Sequence, residues 1–247
     1  MKAMILAAGL GTRLRPLTDD RPKALVEVAG QTLLEITLRR LLAFGIHDVI
    51  INTHHFADLV ADYLKKNGDF GMRIEISREE VLLDTGGGLK KAAWFFLEDS
   101  SSEPFLLHNV DVLSTIDFGR MLAFHREHEA LATLAVQDRA TSRYLLFDER
   151  QQLCGRQTGA GQPPEMVRTV LNPRALAFSG VHMISPRLLN LMTEGDIFSI
   201  VTSYLRLAGR GEKILAFRAD EYYWRDLGKP ENVAQAESDV RRQVLML

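Results

Sequence analysis

The sequence predicts an α/β fold: a single domain built on a mixed, mainly parallel sheet with helices on its faces. Three observations predict it. Through the first half of the chain, short apolar runs alternate with stretches whose apolar residues fall at helical spacing. The runs Lys2–Ala8 and His47–Thr53 are apolar without alternation, as strands buried on both faces are. Gly45 and Gly68 follow the helical stretches and mark their ends.

Taken in order, Lys2–Ala8 is a strand that stops at Gly9. Ala24–Val28 is a short extended piece closed by Ala29 and Gly30. Thr32–Phe44 is a helix, with Leu33, Leu34, Ile36, Leu38, Leu41 and Leu42 on its apolar side. His47–Thr53 is a strand, Phe56–Asn67 a helix and Met72–Ser77 a strand. Gly86–Gly88 introduces a helix over Leu89–Leu97. Phe105–Val112 is a strand, Asp117 to Glu129 a helix and Leu131–Gln137 a strand. Strand and helix alternate throughout, which implies βαβ units with right-handed crossovers.

After Asp138 the pattern changes. Tyr144–Phe147 and Gln152–Cys154 flank Asp148-Glu149-Arg150 as a hairpin, and Thr158–Pro164 is a polar loop. Ala175–Ile184 is a strand, Pro186 starts a short helix, and Phe198–Leu207 is a helix. Lys213–Arg218 and Tyr222–Arg225 are strands, and Pro230–Arg242 is a last helix with proline in its first turn. The expected layout is one domain over residues 1–247 with two lobes, 1–138 and 139–247, the second closing over the first.

Composition bounds the function. The 247 residues are 46% hydrophobic with a formal charge of −2, which exerts no global pull toward nucleic acid or an anionic membrane. Cys154 is the one cysteine, so no internal disulfide framework and no cysteine-based zinc site is available. It is expected to be a small buried residue rather than a nucleophile. No apolar stretch approaches the ~20 residues of a membrane helix, and the opening run leads into glycines and charges. A cytoplasmic protein, monomeric or homodimeric, is expected.

The chemistry concentrates in the loop after the first strand. Gly9 and Gly11 are followed by Arg13, Arg15 and Lys23. A buried strand emptying into a glycine-containing, cationic loop is a phosphate-holding arrangement. Gly9-Leu10-Gly11-Thr12-Arg13-Leu14 has leucine where a dinucleotide fingerprint has its third glycine, and no Gly-Lys-Ser/Thr makes a Walker loop. Arg13 can place a planar fork on a polyphosphate and Lys23 a point charge on a phosphoryl group.

Asn109-Val110-Asp111 closes a parallel strand, where a carboxylate points into the ligand crevice and suits Mg²⁺. Thr85 and the run Gly86–Gly88 allow close backbone approach, as does Gly180 inside an apolar strand. Asp226, in Trp224-Arg225-Asp226-Leu227-Gly228-Lys229-Pro230, reads by itself as a turn residue. His125 and His128 lie at i, i+3 on a helix with no third ligand, and read as a solvated face.

The segment from Leu6 to Glu35, LAAGLGTRLRPLTDDRPKALVEVAGQTLLE, resembles the signature of the sugar-1-phosphate nucleotidyltransferases, with Thr32 in place of a usual proline. The form Asp84-Thr85-Gly86-Gly87-Gly88 is similar to that of N-acetylmuramate-1-phosphate uridylyltransferases and some mannose-1-phosphate guanylyltransferases. The resemblance implies a Rossmann-like, GT-A-like sheet without a C-terminal β-helix. Residues 1–138 would then form a nucleotide-binding lobe and 139–247 a sugar-binding lobe.

The same resemblance implies that Leu6, Ala7, Ala8, Gly9, Gly11 and Thr12 approach the nucleotide. Arg13 and Lys23 would be catalytic, holding the triphosphate and the reacting phosphates. Thr85, Gly86 and Gly87 would lie beside base and ribose, Asn109 and Gly180 beside the sugar, and Asp111 with Asp226 would hold Mg²⁺. A Glu-Lys-Pro segment whose lysine takes the sugar phosphate is missing between Asp138 and Ala175. Arg143, Arg156 and Arg174 can replace it, Arg143 first because it opens a strand.

The expected reaction joins an NTP and a sugar 1-phosphate into an NDP-sugar and pyrophosphate. UTP with an amino-sugar phosphate is favoured, and guanylyl transfer to mannose or heptose 1-phosphate is the alternative. Cytidylyl transfer to a choline-type phosphate uses a similar loop. A non-catalytic nucleotide-sugar-binding regulator is the rival class, and a dehydrogenase is disfavoured by the mismatched glycines.

Overall fold

The computed structural model describes residues 1–99, 101–159 and 161–246; Ala160, inside the loop expected over Thr158–Pro164, lies outside them. Strand β1 (Lys2–Leu6) runs into a loop with two short 3₁₀ turns, Thr12–Leu14 and Lys23–Leu25. Strands β2 (Glu27–Val28) and β3 (Gln31–Thr32) form a small hairpin before helix α1 (Leu33–Ala43). Then follow β4 (Asp48–Thr53), α2 (Ala57–Lys66) and β5 (Arg73–Arg78).

Helices α3 (Asp84–Lys91) and α4 (Ala93–Leu97) precede β6 (Phe105–Asn109), β7 (Val112–Ser114), α5 (Phe118–Glu127) and β8 (Ala132–Gln137). The second half holds β9 (Arg143–Phe147), β10 (Leu153–Thr158), β11 (Glu165–Met166) and the long β12 (Arg174–Ile184). It ends with α6 (Arg187–Leu191), α7 (Ile200–Gly209), β13 (Ile214–Arg218), β14 (Trp224–Asp226) and α8 (Pro230–Arg241).

The main sheet has the order β11-β10-β9-β12-β6-β1-β4-β5, with β8 and β13 branching from β12. The stretch β6-β1-β4-β5 is parallel, and the strands from β12 outward to β11 are antiparallel. The expected mixed sheet with flanking helices is therefore present. Alternate residues of β1 enter two cores: Ala3 and Ile5 one, Met4 and Leu6 the other. Covering both faces is what a parallel, wholly apolar strand requires.

Local chemistry explains several boundaries. Thr32 caps α1, its Oγ1 accepting from the Glu35 N–H at 3.0 Å. This is the role for which threonine outdoes most residues. Gly45, with φ +72, lets the chain leave α1 through the left-handed region.

The strand expected over Phe105–Val112 is two strands, β6 and β7, separated by Val110-Asp111. The helix expected over Leu89–Leu97 begins earlier, at Asp84, and breaks at Ala92 into α3 and α4. His125 is not on a solvated face: it is 1% exposed, between Thr133 Oγ1 at 2.9 Å and Ser185 Oγ at 3.0 Å. Cys154 is buried, as expected, and burial pushes its thiol up to about 11.

Candidate active site

Three parallel strands end in one row. Leu6 of β1 is in register with Asn52 of β4 on one side and with Asn109 of β6 on the other. The chain beyond this row makes a crevice at the carboxyl ends of the strands, where open α/β sheets bind ligands. Asn52 is 3% exposed; its Oδ1 accepts from the Ala7 N–H at 2.7 Å, and its Nδ2 donates to Glu79 Oε1 at 2.7 Å. The other Glu79 oxygen accepts from the Leu83 N–H at 3.0 Å. One amide thus ties the loop after β1 to the segment entering α3.

The crevice holds two adjoining cavities. One, of about 450 Å³, is walled by Leu6, Ala7, Ala8 and Gly9 with Lys23 and Asp111, and Thr85 and Asn109 also face it. The other, of about 590 Å³, is walled by β9, β10, β12 and the start of α7, and includes Arg143, Arg156 and Thr158. Asp84, Thr85 and Asn109 border both. Asp84 takes a left-handed φ of +59, with its Oδ1 accepting from the Thr85 N–H at 2.6 Å. A non-glycine residue held there costs on the order of 1 kcal/mol, a strain found chiefly at functional sites.

Lys23 and Asp111 form an ion pair on the floor of the smaller cavity. Pro22, extended, starts the 3₁₀ turn that carries Lys23 inward. Asp226 arrives from the far end of the chain. Strand β14 pairs with β7 so that Asp226 lies opposite Val112, and the Leu227 N–H donates to Asp111 O at 2.7 Å. Two aspartates well separated in sequence are thus brought together along the backbone, although Asp226, unlike Asp111, walls neither cavity. Asp226 is fixed by the Gly228 N–H on its Oδ1 at 2.6 Å and by Asn232 Nδ2 on its backbone oxygen at 2.7 Å.

This donor set suits a hard divalent cation, which takes one or two carboxylates and completes its shell with phosphate and water oxygens. The ammonium already seated on Asp111 shows that this carboxylate is placed to face positive charge. Among the described residues no group of three or more His, Cys, Asp and Glu side chains could hold a metal by protein ligands alone.

The remaining expected residues fall into three groups. Gly11 and Thr12 lie on the loop but do not wall either cavity; Gly11 has φ +66 and its carbonyl accepts from Thr18 Oγ1 at 2.8 Å. Arg13 is exposed, and its guanidinium lies against Gly228, where a Cβ would come within 2.8 Å of Nη2. It therefore stands at the turn that holds Asp226.

Gly86 and Gly87 do not open toward the crevice, and Gly88 packs against the Asn52 and Glu79 side chains. The Gly86 and Gly87 N–H groups both donate to Phe198 O, and side chains at these positions would strike the Phe198 ring and the Asp196 backbone oxygen. Their smallness lets α3 pack on the segment before α7, and Thr85 is the member of the run that faces the cavities. Gly180, at φ +73, leaves room for Val112 and the Asn109 amide. Of the basic residues, Arg156 is paired with Glu165 and Arg174 with Asp138, while the Arg143 side chain has no ion-pair partner among the described residues.

Sequence reasoning missed Asn52, Glu79 and Arg139. Asn52 did have a signal, a polar residue directly after the apolar run Val49–Ile51. Arg139 sits 3.5 Å over the Trp224 ring and donates to Phe178 O at 2.8 Å. Burial pulls its guanidinium down, against an upward pull from Asp226.

The family model described as nucleotidyl transferase matches residues 2–147. An N-acetylmuramate alpha-1-phosphate uridylyltransferase of Caulobacter vibrioides is 34% identical over 96% of this chain and 95% of its own length. A mannose-1-phosphate guanyltransferase of Yarrowia lipolytica is 30% identical over 94% of this chain, which spans 62% of that protein. Among solved structures, HddC from Yersinia pseudotuberculosis complexed with GMP-PN superposes with a TM-score of 0.74 at 22% identity, covering 97% of this chain and 99% of that one.

Proposed function

The chain belongs to the nucleotidyl transferase family, and from that membership we propose that it condenses an NTP with a sugar 1-phosphate, releasing pyrophosphate, with UTP and an amino-sugar phosphate as its substrates. The observation that carries the reading is the Lys23–Asp111 pair beside the Leu6–Gly9 backbone, with the strand that bears Asp226 bonded to Asp111 through the Leu227 N–H. The smaller cavity takes the nucleotide and the larger takes the sugar phosphate, so residues 1–138 act mainly as the nucleotide lobe and 139–247 as the sugar lobe.

Little covalent work falls to the protein, because the attacking sugar-phosphate oxygen is already an anion. The chain's task is to hold two anions together in line and to stabilise the charge that shifts to the leaving pyrophosphate. The Ala7–Gly9 backbone approaches the triphosphate. Lys23 orients the reacting phosphates, and Arg13 reaches the leaving group from the loop. Arg143, a rim cation without an ion-pair partner among the described residues, holds the sugar phosphate. Asp111 and Asp226 hold Mg²⁺, which when bound neutralises phosphate charge.

The preference for UTP is supported by the similarity to the Caulobacter uridylyltransferase, which extends over nearly both full lengths. Guanylyl transfer to mannose or heptose 1-phosphate has its own support in the guanyltransferase relative and in the fold shared with HddC. A matrix of four NTPs against a panel of sugar 1-phosphates, read by pyrophosphate release, tests both. The proposal expects the fastest release with UTP and an amino-sugar phosphate. A maximum with GTP selects the second reading, and no release with any pair rejects catalysis.

A further inference from the structure

The larger cavity has one polar side chain in its wall that the reaction above does not use. His182, in the middle of β12, is 1% exposed and borders that cavity, its ring edge-on to Phe178 with centroids 4.6 Å apart. Its Nδ1 lies 2.8 Å from the hydroxyl of Tyr204, which comes from α7 and is itself 1% exposed. Among the described residues Tyr204 has no other polar partner. A buried phenol keeps its proton paired, so the hydroxyl donates to Nδ1 and the ring proton resides on Nε2.

Among the described residues that Nε2–H finds no acceptor. Yet it is not among the sealed, unpartnered atoms, as Nε2 of neighbouring His108 is. What it meets is the cavity. Burial, reinforced by His108, pushes the His182 imidazole down to about 3, so the group is a neutral donor at working pH.

We propose that His182 is a specificity-determining residue of the sugar subsite, its Nε2–H donating to an oxygen of the sugar itself, either a hydroxyl or an acyl carbonyl. The inference rests on the nucleotidyl-transfer reading. Two features favour the sugar over its phosphate. The donor is uncharged, whereas the cations of this cavity, Arg143 and Arg156, sit at its more exposed edge. Tyr204 also fixes the tautomer, so the site offers a donor and never an acceptor. A ligand presenting an N–H there would leave two donors facing each other, and a site so built rejects analogues that lack the matching oxygen.

The test compares wild type, His182→Phe and Tyr204→Phe as full chains, using N-acetylglucosamine, glucose and mannose 1-phosphate. Binding is measured by calorimetry and turnover by pyrophosphate release. His182→Phe keeps the ring's bulk and loses the donor. It is expected to raise the KM and Kd for the sugar 1-phosphate about 10-fold or more while leaving KM for the NTP unchanged. Tyr204→Phe frees the tautomer and is expected to raise the same constants by less.

A loss confined to the N-acetyl sugar assigns the acyl carbonyl; a loss with all three assigns a hydroxyl. Equal sugar-phosphate affinity in wild type and His182→Phe overturns the assignment of His182 alone. If His182→Phe does not fold, unchanged constants in Tyr204→Phe overturn it instead. A wild type that binds none of the three overturns the nucleotidyl-transfer reading together with it.

Discussion

Lys23 and Asp111, 88 positions apart in the chain, form an ion pair where the smaller cavity meets the ends of β1 and β6. The pair is largely shielded from water, with both side chains 14% exposed. An ammonium that satisfies a carboxylate there also competes with any other cation for it.

Lys23→Met is therefore expected to tighten Mn²⁺ binding in the absence of nucleotide while lowering turnover at least about 100-fold. Calorimetry with Mn²⁺ and a pyrophosphate assay read the two effects separately. Unchanged Mn²⁺ affinity would mean that the cation does not use Asp111.

Asp111→Asn and Asp226→Asn each remove one charge from the two carboxylates proposed to hold Mg²⁺. Each is expected to lower kcat about 100- to 1000-fold, and the double variant to lose less than the product of the two. Arg13→Ala is expected to fall in the same range, with the melting temperature held because the side chain is exposed. Additive losses in the double variant would separate the two aspartates functionally.

Asn52→Leu tests the tie between the loop after β1 and the entry to α3. It strands the buried Ala7 N–H and one oxygen of Glu79, which is 5% exposed. A loss of about 2–3 kcal/mol in urea unfolding is expected, with a raised KM for the NTP. Wild-type stability would show that water replaces the amide.

Gly86→Ala places a methyl against the Phe198 ring and should destabilise by about 1–3 kcal/mol. Truncating that ring in Gly86→Ala/Phe198→Ala should recover part of the loss. A stable single variant with a raised KM for the NTP would return the glycine to the nucleotide rather than to packing.

Three buried histidines set an acid limit on stability. Burial pushes His108 and His125 down to about 4 and His182 to about 3, from 6.5 in an open chain. Between those limits the unfolded chain binds protons that the folded one refuses, so stability falls as pH drops and is flat, in this respect, above 6.5. Each histidine contributes a slope of about 1.4 kcal/mol per pH unit in that window. Urea midpoints from pH 4.5 to 8 measure it; midpoints constant down to pH 5 would contradict it.

The parallel half of the sheet was legible because burying a strand on both faces leaves an unbroken apolar run, as in β1 and β4. The place of Gly9 and Lys23 at the crevice was legible because they follow a buried strand at its carboxyl end. The division at Val110-Asp111 was not, since apolar residues resume at Val112 and Leu113 as if one strand continued, and β7 is set apart by its pairing with β14. The glycines of α3 misled for a related reason. A glycine run reports that something comes close, and here Phe198 and Asp196 do so from a distant segment. Glu79 carried no signal, because a carboxylate in a charged stretch looks solvated until Asn52 and Leu83 are seen to claim it.

The pairing of β7 with β14 also fixes when Asp226 can meet Asp111 during synthesis. A ribosome that has delivered the chain through β13 has completed the loop, Lys23 and Asp111, but Asp226 and the Leu227 N–H that seats against Asp111 are still in the exit tunnel. On the proposed reading, a nascent chain at that point cannot yet consume substrate. On the same reading, a proteolytic nick between β13 and β14 that released the last segment is expected to abolish activity.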